Sequence, residues 1–333
     1  MRRIRFFLVW IGVLCGLSAW MLAAEAVQAQ SQKAPAQVIG WIPAYGIEAS
    51  MQALNSEPAI ASGLTRIGLQ FWNPTEDGRG VEFAPISNSS QRVTPAQVKT
   101  IVSWAKERHI QVVLTVYNNS QVKAKWDWAW ARRAFAQHRS EFILALLKEM
   151  RSYELDGIDV DLEGEGHLEA DRASYAHFIA ALSKQVHRQH KILTVDSFHS
   201  PCMNAPNMLW WSDWRGKVDA IHSMGYQDLY EASTEKFVPE GRPVCEQGAS
   251  IFKYSWQLAY GRRAGFQTSQ IVLGMPTWLD SWGAANAATD TLAHLREVRD
   301  LGAGIALWDL QLTASSWRSA ATWQAVEQLR TGQ

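Results

Sequence analysis

The sequence has no surplus charge and little cysteine. Its 32 Lys and Arg are balanced by 32 Asp and Glu, giving a formal net charge of zero. That argues against a polyanionic partner such as nucleic acid, which calls for a basic face. Three cysteines, Cys15, Cys202 and Cys245, show no zinc-ligand spacing, and no other metal-binding pattern appears, so no metal is expected. There is no glycine-rich dinucleotide loop, no internal repeat and no sign of a cofactor. Charged residues are 19% of the chain and hydrophobic ones 47%, which excludes a disordered polymer. One residue type is oversupplied: the chain has 17 tryptophans, more than core filling explains.

The N-terminus reads as a targeting segment. Arg2, Arg3 and Arg5 precede an apolar run from Phe6 to Ala24. Ala24-Glu25-Ala26 and Val27-Gln28-Ala29 are candidate cleavage sites. Residues 1–29 are therefore expected to be a signal peptide, with 30–37 a polar linker. Export to the periplasm or beyond follows. The apolar run is close to the minimum for a membrane span, so an uncleaved anchor is the alternative and the one route to a membrane. Cys15 would leave with the signal. In an oxidising compartment the remaining pair, Cys202 and Cys245, is expected to form a disulfide.

Strand-like runs recur from residue 38 onward. They are 38–42, 65–71, 111–116, 155–163, 192–195, 218–222, 271–274 and 304–308. Helical patterns separate most of them. Thr94-Pro95-Ala96-Gln97 reads as an N-cap, a first-turn proline and a capping-box glutamine. Val98, Ile101, Val102 and Ala105 then repeat at helical spacing. So do Phe142, Ile143, Leu146, Leu147 and Met150, and later Tyr175, Phe178, Ile179, Leu182 and Val186. Eight strands alternating with helices predict a single (β/α)8 barrel over residues 38–330. A doubly wound open sheet is the runner-up.

The fourth run carries the chemistry. In Leu155-Asp156-Gly157-Ile158-Asp159-Val160-Asp161-Leu162-Glu163, acids alternate with aliphatics. A period of two sends Asp159, Asp161 and Glu163 to one face and Ile158, Val160 and Leu162 to the other. Acids two residues apart on a strand sit roughly 6–7 Å apart. Such neighbours cannot all stay ionised in a dry setting, so at least one should hold a proton near neutral pH. Barrel active sites lie at the C-terminal ends of the strands, where Glu163 falls. Asp156 is out of phase and is read as structural.

The stretch resembles the D-G-x-D-x-D-x-E signature of glycoside hydrolase family 18, the chitinase-like enzymes. Met224-Gly225-Tyr226-Gln227 resembles the family's M-x-Y-D/N motif, Gly274-Met275-Pro276 its G-x-P turn, and Trp308 its sugar-flooring tryptophan. Gln227 departs from the pattern. So does Thr115-Val116-Tyr117-Asn118-Asn119-Ser120, which lacks S-x-G-G and is similar to peptidoglycan- or spore-cortex-directed members. The resemblance implies hydrolysis of an N-acetylglucosamine-containing polysaccharide with the substrate's acetamido group as nucleophile. It gives Glu163 the role of acid and base. Asp161 steadies the acetamido N–H, Asp159 shares a proton with Asp161, and Tyr226 donates to the acetamido oxygen.

Trp308, Trp41, Asn118, Met224, Gln227 and Trp278 are candidate substrate contacts, although Trp41 also reads as core and Asn118 as a strand cap. Trp126, Trp128, Trp130 and Trp282 are aromatic candidates at even odds with packing, and His167 reads as a loop residue. The short connection from strand seven to strand eight implies an open groove and endo cleavage. A monomer is expected. A lectin on the same barrel and an endoglycosidase acting on N-linked glycans are the alternatives. The presence of the glutamate weighs against the lectin.

Overall fold

Strands buried on both faces are stable where helices cover a parallel sheet. The computed structural model forms all eight such strands: β1 Val38–Pro43, β2 Arg66–Pro74, β3 Gln111–Tyr117, β4 Gly157–Asp161, β5 Ile192–Ser197, β6 Ala220–Ser223, β7 Ile271–Pro276 and β8 Gly304–Trp308. It describes residues 35–86, 90–120, 125–166, 168–199, 204–226, 253–278 and 287–332. The expected signal segment, most of the linker, His167, Cys202, Gln227, Cys245 and Trp282 lie outside the described residues. Each strand pairs in parallel with the next, and β8 returns to β1. The sheet is thus closed, a (β/α)8 barrel, and the open-sheet alternative falls.

The expected helices form for the expected reasons. Thr94 and Gln97 make the reciprocal capping box, with Pro95 opening the helix Pro95–Lys106. That helix buries Val98, Ile101, Val102 and Ala105. The helix Arg139–Ser152 buries Phe142, Ile143, Leu146, Leu147 and Met150. The helix Arg172–His187 does the same with Tyr175, Phe178, Ile179, Leu182 and Val186. Several boundaries differ from expectation, and strand four spans Gly157–Asp161 rather than 155–163, so Glu163 lies just past its end. Strand six begins at Ala220 rather than Val218. Strand two runs on to Pro74, because Trp72–Pro74 gain antiparallel partners in Val81–Phe83.

Apolar packing divides into two layers. A large outer layer joins strands to helices and includes Ile158, Val160 and Leu162. A small inner cluster of Ile39, Trp41, Val113, Ala220, Val272 and Ala306 fills the barrel, with Trp308 against it. Alternation within β4 therefore does what its pattern predicts: aliphatics face the helices and acids face inward. Gly157 in the motif has a steric reason, since a Cβ there would come within 2.2 Å of the Ile192 carbonyl oxygen on β5.

Candidate active site

Register places Asp159 level with Thr115 on β3 and Thr194 on β5. Its carboxyl is fully buried and surrounded by donors. Thr194 donates at 2.5 Å, Trp41 Nε1 at 2.9 Å and Thr115 at 3.0 Å. His222 Nδ1 lies 3.3 Å away. Burial alone would push this carboxyl up. The attraction of His222 and the bonds from Thr194 and Trp41 outweigh burial and hold it below the usual carboxylate range.

Asp161, one layer higher, is also buried and accepts a 2.7 Å bond from Gln70 Nε2 on β2. Among the described residues its Oδ1 meets no hydrogen-bond partner, and the Glu163 carboxyl lies near enough for each to act on the other's ionisation. Burial pushes Asp161 up to about 7, against the pull of Gln70. Burial and then the Asp161 charge push Glu163 well above its ordinary value. Glu163 is half-buried at the barrel mouth, so solvent tempers the burial effect, but the charge of Asp161 acts in the same sense. Among the described residues Glu163 makes no ion pair. Asp159 faces His222, while Asp161 and Glu163 act on each other's ionisation.

Tyr226 stands half-buried after β6, its ring 6.0 Å from Trp278 and packed over Gly274. Burial, then the charges of Asp196, Asp161 and Glu163, push its hydroxyl well up, so it remains a donor facing the acids. Trp308 is half-buried at the end of β8, 6.0 Å from Trp41. Met224 follows β6 and is half-buried. These residues converge on one mouth with Glu163.

The family model for glycosyl hydrolases family 18 matches residues 40–328. The chain belongs to glycosyl hydrolase family 18. An uncharacterized glycosylase of Bacillus subtilis (strain 168), YvbX, is 22% identical over 213 residues, which is 64% of this chain and 57% of that protein. The match thus spans little more than half of the relative's length. A chitinase from Chromobacterium violaceum ATCC 12472 shares the fold with a TM-score of 0.63 at 17% identity, covering 88% of this chain and 98% of that one. The spore cortex-lytic enzyme SleL of Bacillus megaterium QM B1551 gives 0.63 at 13% identity, covering 89% and 74%.

In this family 18 barrel, several sequence candidates turn out to support the site rather than line it. Trp41 is only 1% exposed and spends its N–H on Asp159. Asn118 is fully buried, and its amide is committed to the Glu163 backbone in both directions. Both candidate substrate contacts are thus committed within the protein, Trp41 to Asp159 and Asn118 to the Glu163 backbone. Asp156 accepts from the Val112 backbone N–H at the foot of β3. Trp128 bonds Asp171 and packs on Phe135, Tyr175 and Trp210, and Trp126 leans on Tyr117.

Sequence reasoning missed Gln70, Thr115, Thr194, Asp196 and His222. Inward alternation on β5 and β6 was the available signal. Asp196, His222 and Asp159 bring ligand-type atoms within 4.8 Å of one another. Those atoms are already joined by hydrogen bonds, with His222 Nδ1 at 2.7 Å from Asp196, so the trio reads as a relay. Burial, then the charges of Asp159, Asp161 and Glu163, push the Asp196 carboxyl well up.

Proposed function

We propose that this family 18 chain is an exported hydrolase of β-1,4-linked N-acetylglucosamine polymers, chitin or the glycan of peptidoglycan, acting with retention of configuration. The observation that carries the reading is the Asp161–Glu163 pair: one buried carboxyl and one at the mouth, both pushed up by burial, with the Asp161 charge pushing Glu163 up further. Family 18 is an exception to the usual two-carboxylate mechanism of glycosidases, because the substrate's own acetamido oxygen attacks the anomeric carbon. Glu163 gives its proton to the glycosidic oxygen as that bond breaks. Asp161 accepts from the acetamido N–H and balances the positive charge of the oxazolinium. Tyr226 donates to the acetamido oxygen and aims it, and Trp308 stacks under the sugar. Water then attacks the anomeric carbon, and Glu163 takes its proton.

The names of the structural neighbours, chitinase and spore cortex-lytic enzyme, bracket the substrate class. Helix Ala287–Leu301 accounts for most of the short β7–β8 connection, which supports an open groove and endo cleavage. Export rests on the N-terminal arginines and apolar run, and a Cys202–Cys245 disulfide rests on export. Free thiols in the exported, non-reduced protein would refute the disulfide.

Product analysis on chitooligosaccharides, peptidoglycan and a high-mannose glycoprotein tests the reading. Glu163→Gln should lower turnover by about 10²–10⁴-fold. Turnover at the wild-type rate would refute the assignment of the acid. Equal rates on acetylated and deacetylated substrate would exclude acetamido participation. Activity on the glycoprotein alone would move the substrate to N-linked glycans.

A further inference from the structure

Glu163 lies outside the barrel strands, just beyond β4. Its carboxyl is aimed by whatever holds the backbone around it. Asn118 takes the Glu163 N–H and carbonyl. The next residues, Gly164 and Glu165, pair antiparallel with Ala205 and Asn204. A third support is an indole. A Cβ on Gly164 would come within 2.7 Å of Trp128 Cδ2 and 2.4 Å of Leu168 Cδ1. The Trp128 ring thus presses on the residue that follows the acid, and only glycine leaves it room.

Trp128 is held in that place from several sides. Its Nε1 donates to Asp171 Oδ2 at 2.7 Å. Tyr175 stacks on the ring at 6.1 Å, with Phe135 at 5.2 Å and Trp210 at 6.4 Å. Trp210 Nε1 in turn donates to Glu169 at 3.0 Å. Two indoles therefore bond one short turn, Glu169–Asp171, which closes the loop that Glu163 begins. Trp128 also opens the short helix Trp128–Arg132. The Asp127 N–H just before it donates to the Asn118 carbonyl at 2.9 Å, so the indole and the Asn118 clamp belong to one support.

We propose that Trp128, fixed by Asp171, is a positioning residue that sets the Glu163 carboxyl beside Asp161, and not a platform for sugar. This deepens the hydrolase reading above and rests on it for its kinetic consequence. The placement of Glu163 stands apart from any substrate.

Trp128→Phe keeps an aromatic ring but loses the N–H and the fused ring that meets Gly164. On chitooligosaccharides, well below Tm, kcat should fall about tenfold and KM should stay within about twofold. A raised KM with kcat held would make Trp128 a sugar platform, and unchanged constants would make it plain packing. Either result overturns the proposal. Asp171→Asn keeps an oxygen for the indole and should stay within about threefold of wild type, whereas Asp171→Leu should fall as Trp128→Phe does. Both act through one bond, so the double variant should be about as slow as the slower single, and additive falls would overturn the proposal. If Trp128→Phe does not fold, the two Asp171 variants decide.

The pH profile adds a readout that plain packing would not move. Groups acting with Glu163 are Asp161 on β4, Asp196 on β5, Tyr226 after β6 and Tyr175 on the helix Arg172–His187, with Asp171 beyond the indole. An acid loses its proton as pH rises through its pKa, so Glu163 sets the alkaline limb of kcat. A carboxyl moved off Asp161 should release its proton earlier, shifting that limb about half a pH unit lower in Trp128→Phe. A fall in kcat with the limb unmoved would overturn the proposal. In protein labelled with ¹³C-glutamate, the Glu163 carboxyl, assigned by its loss in Glu163→Gln, should titrate lower in Trp128→Phe than in wild type. Equal midpoints would overturn the proposal. If wild type cleaves no N-acetylglucosamine polymer, the hydrolase reading fails, and this titration still decides whether Trp128 places Glu163.

Discussion

Replacing Asn118 should disarm Glu163 without touching a group that reacts. Ladder pairing between β3 and β4 ends at Tyr117↔Asp161. Glu163 lies two residues beyond, and its backbone would be loose there. The Asn118 amide extends the pairing: Glu163 N–H donates to Asn118 Oδ1 at 2.7 Å, and Asn118 Nδ2 donates to the Glu163 carbonyl at 2.7 Å. Asn118→Leu keeps size and burial but removes both bonds. Each bond contributes about 1 kcal/mol net, and a backbone group left dry costs about 1–3 kcal/mol.

Water at the mouth can reach part of Glu163, so a total near the low end is expected, about 2–4 kcal/mol. For a chain of this size that lowers Tm by roughly 4–10 °C. Activity should suffer more than stability, because a catalytic carboxyl misplaced by about 1 Å costs about 10²-fold in rate. Asn118→Asp adds a second arm. It keeps the acceptor for Glu163 N–H but sets an oxygen against the Glu163 carbonyl unless it is protonated, so its activity should recover partly as pH falls. Thermal unfolding by circular dichroism and kcat on chitooligosaccharides, measured well below Tm, separate the two effects. A folded Asn118→Leu variant with kcat within about twofold of wild type would refute the clamp.

Two further outcomes follow from the same geometry. Asp161 is pushed up to about 7 by burial, against an unfolded value of about 3.9. The native state therefore binds this proton more tightly, and the stability it confers is lost as pH rises through that window. Asp161→Asn should exceed wild type in urea midpoint at pH 8 by more than at pH 4, and equal differences at the two pH values would contradict the burial argument. At Gly274, a Cβ would come within 2.7 Å of the Ser223 carbonyl and 2.8 Å of the Tyr226 ring. Gly274→Ala should cost about 1–3 kcal/mol by overpacking and displace Tyr226. Wild-type turnover in that variant would show that the Tyr226 position is not critical.

Much of this was legible in the chain because it is local. The alternation of Asp159 and Asp161 with Ile158, Val160 and Leu162 decides which face of β4 is polar, since successive side chains on a strand point oppositely. The box of Thr94, Pro95 and Gln97 decides where a helix starts, since it satisfies orphan N–H groups within one turn. Tyr226 and Trp308 were picked out by their resemblance to family motifs, taken together with their places at strand ends. Trp41 and Asn118 were recognised as belonging to the site, yet their roles came out as support, because the partner each one bonds lies on another strand.

What the sequence determined by itself was the set of eight strands, the helices that cover them, and the row of acids that must point inward once the sheet closes. Tertiary structure alone decided who meets those acids. Gln70, Thr115, Thr194 and His222 reach them from four other strands, and Asp196 from β5 takes hold of His222. The physical reason is that a strand's own pattern fixes which face a side chain takes. Its height in the barrel, and so its neighbour, is set by the stagger between strands, which no single strand encodes.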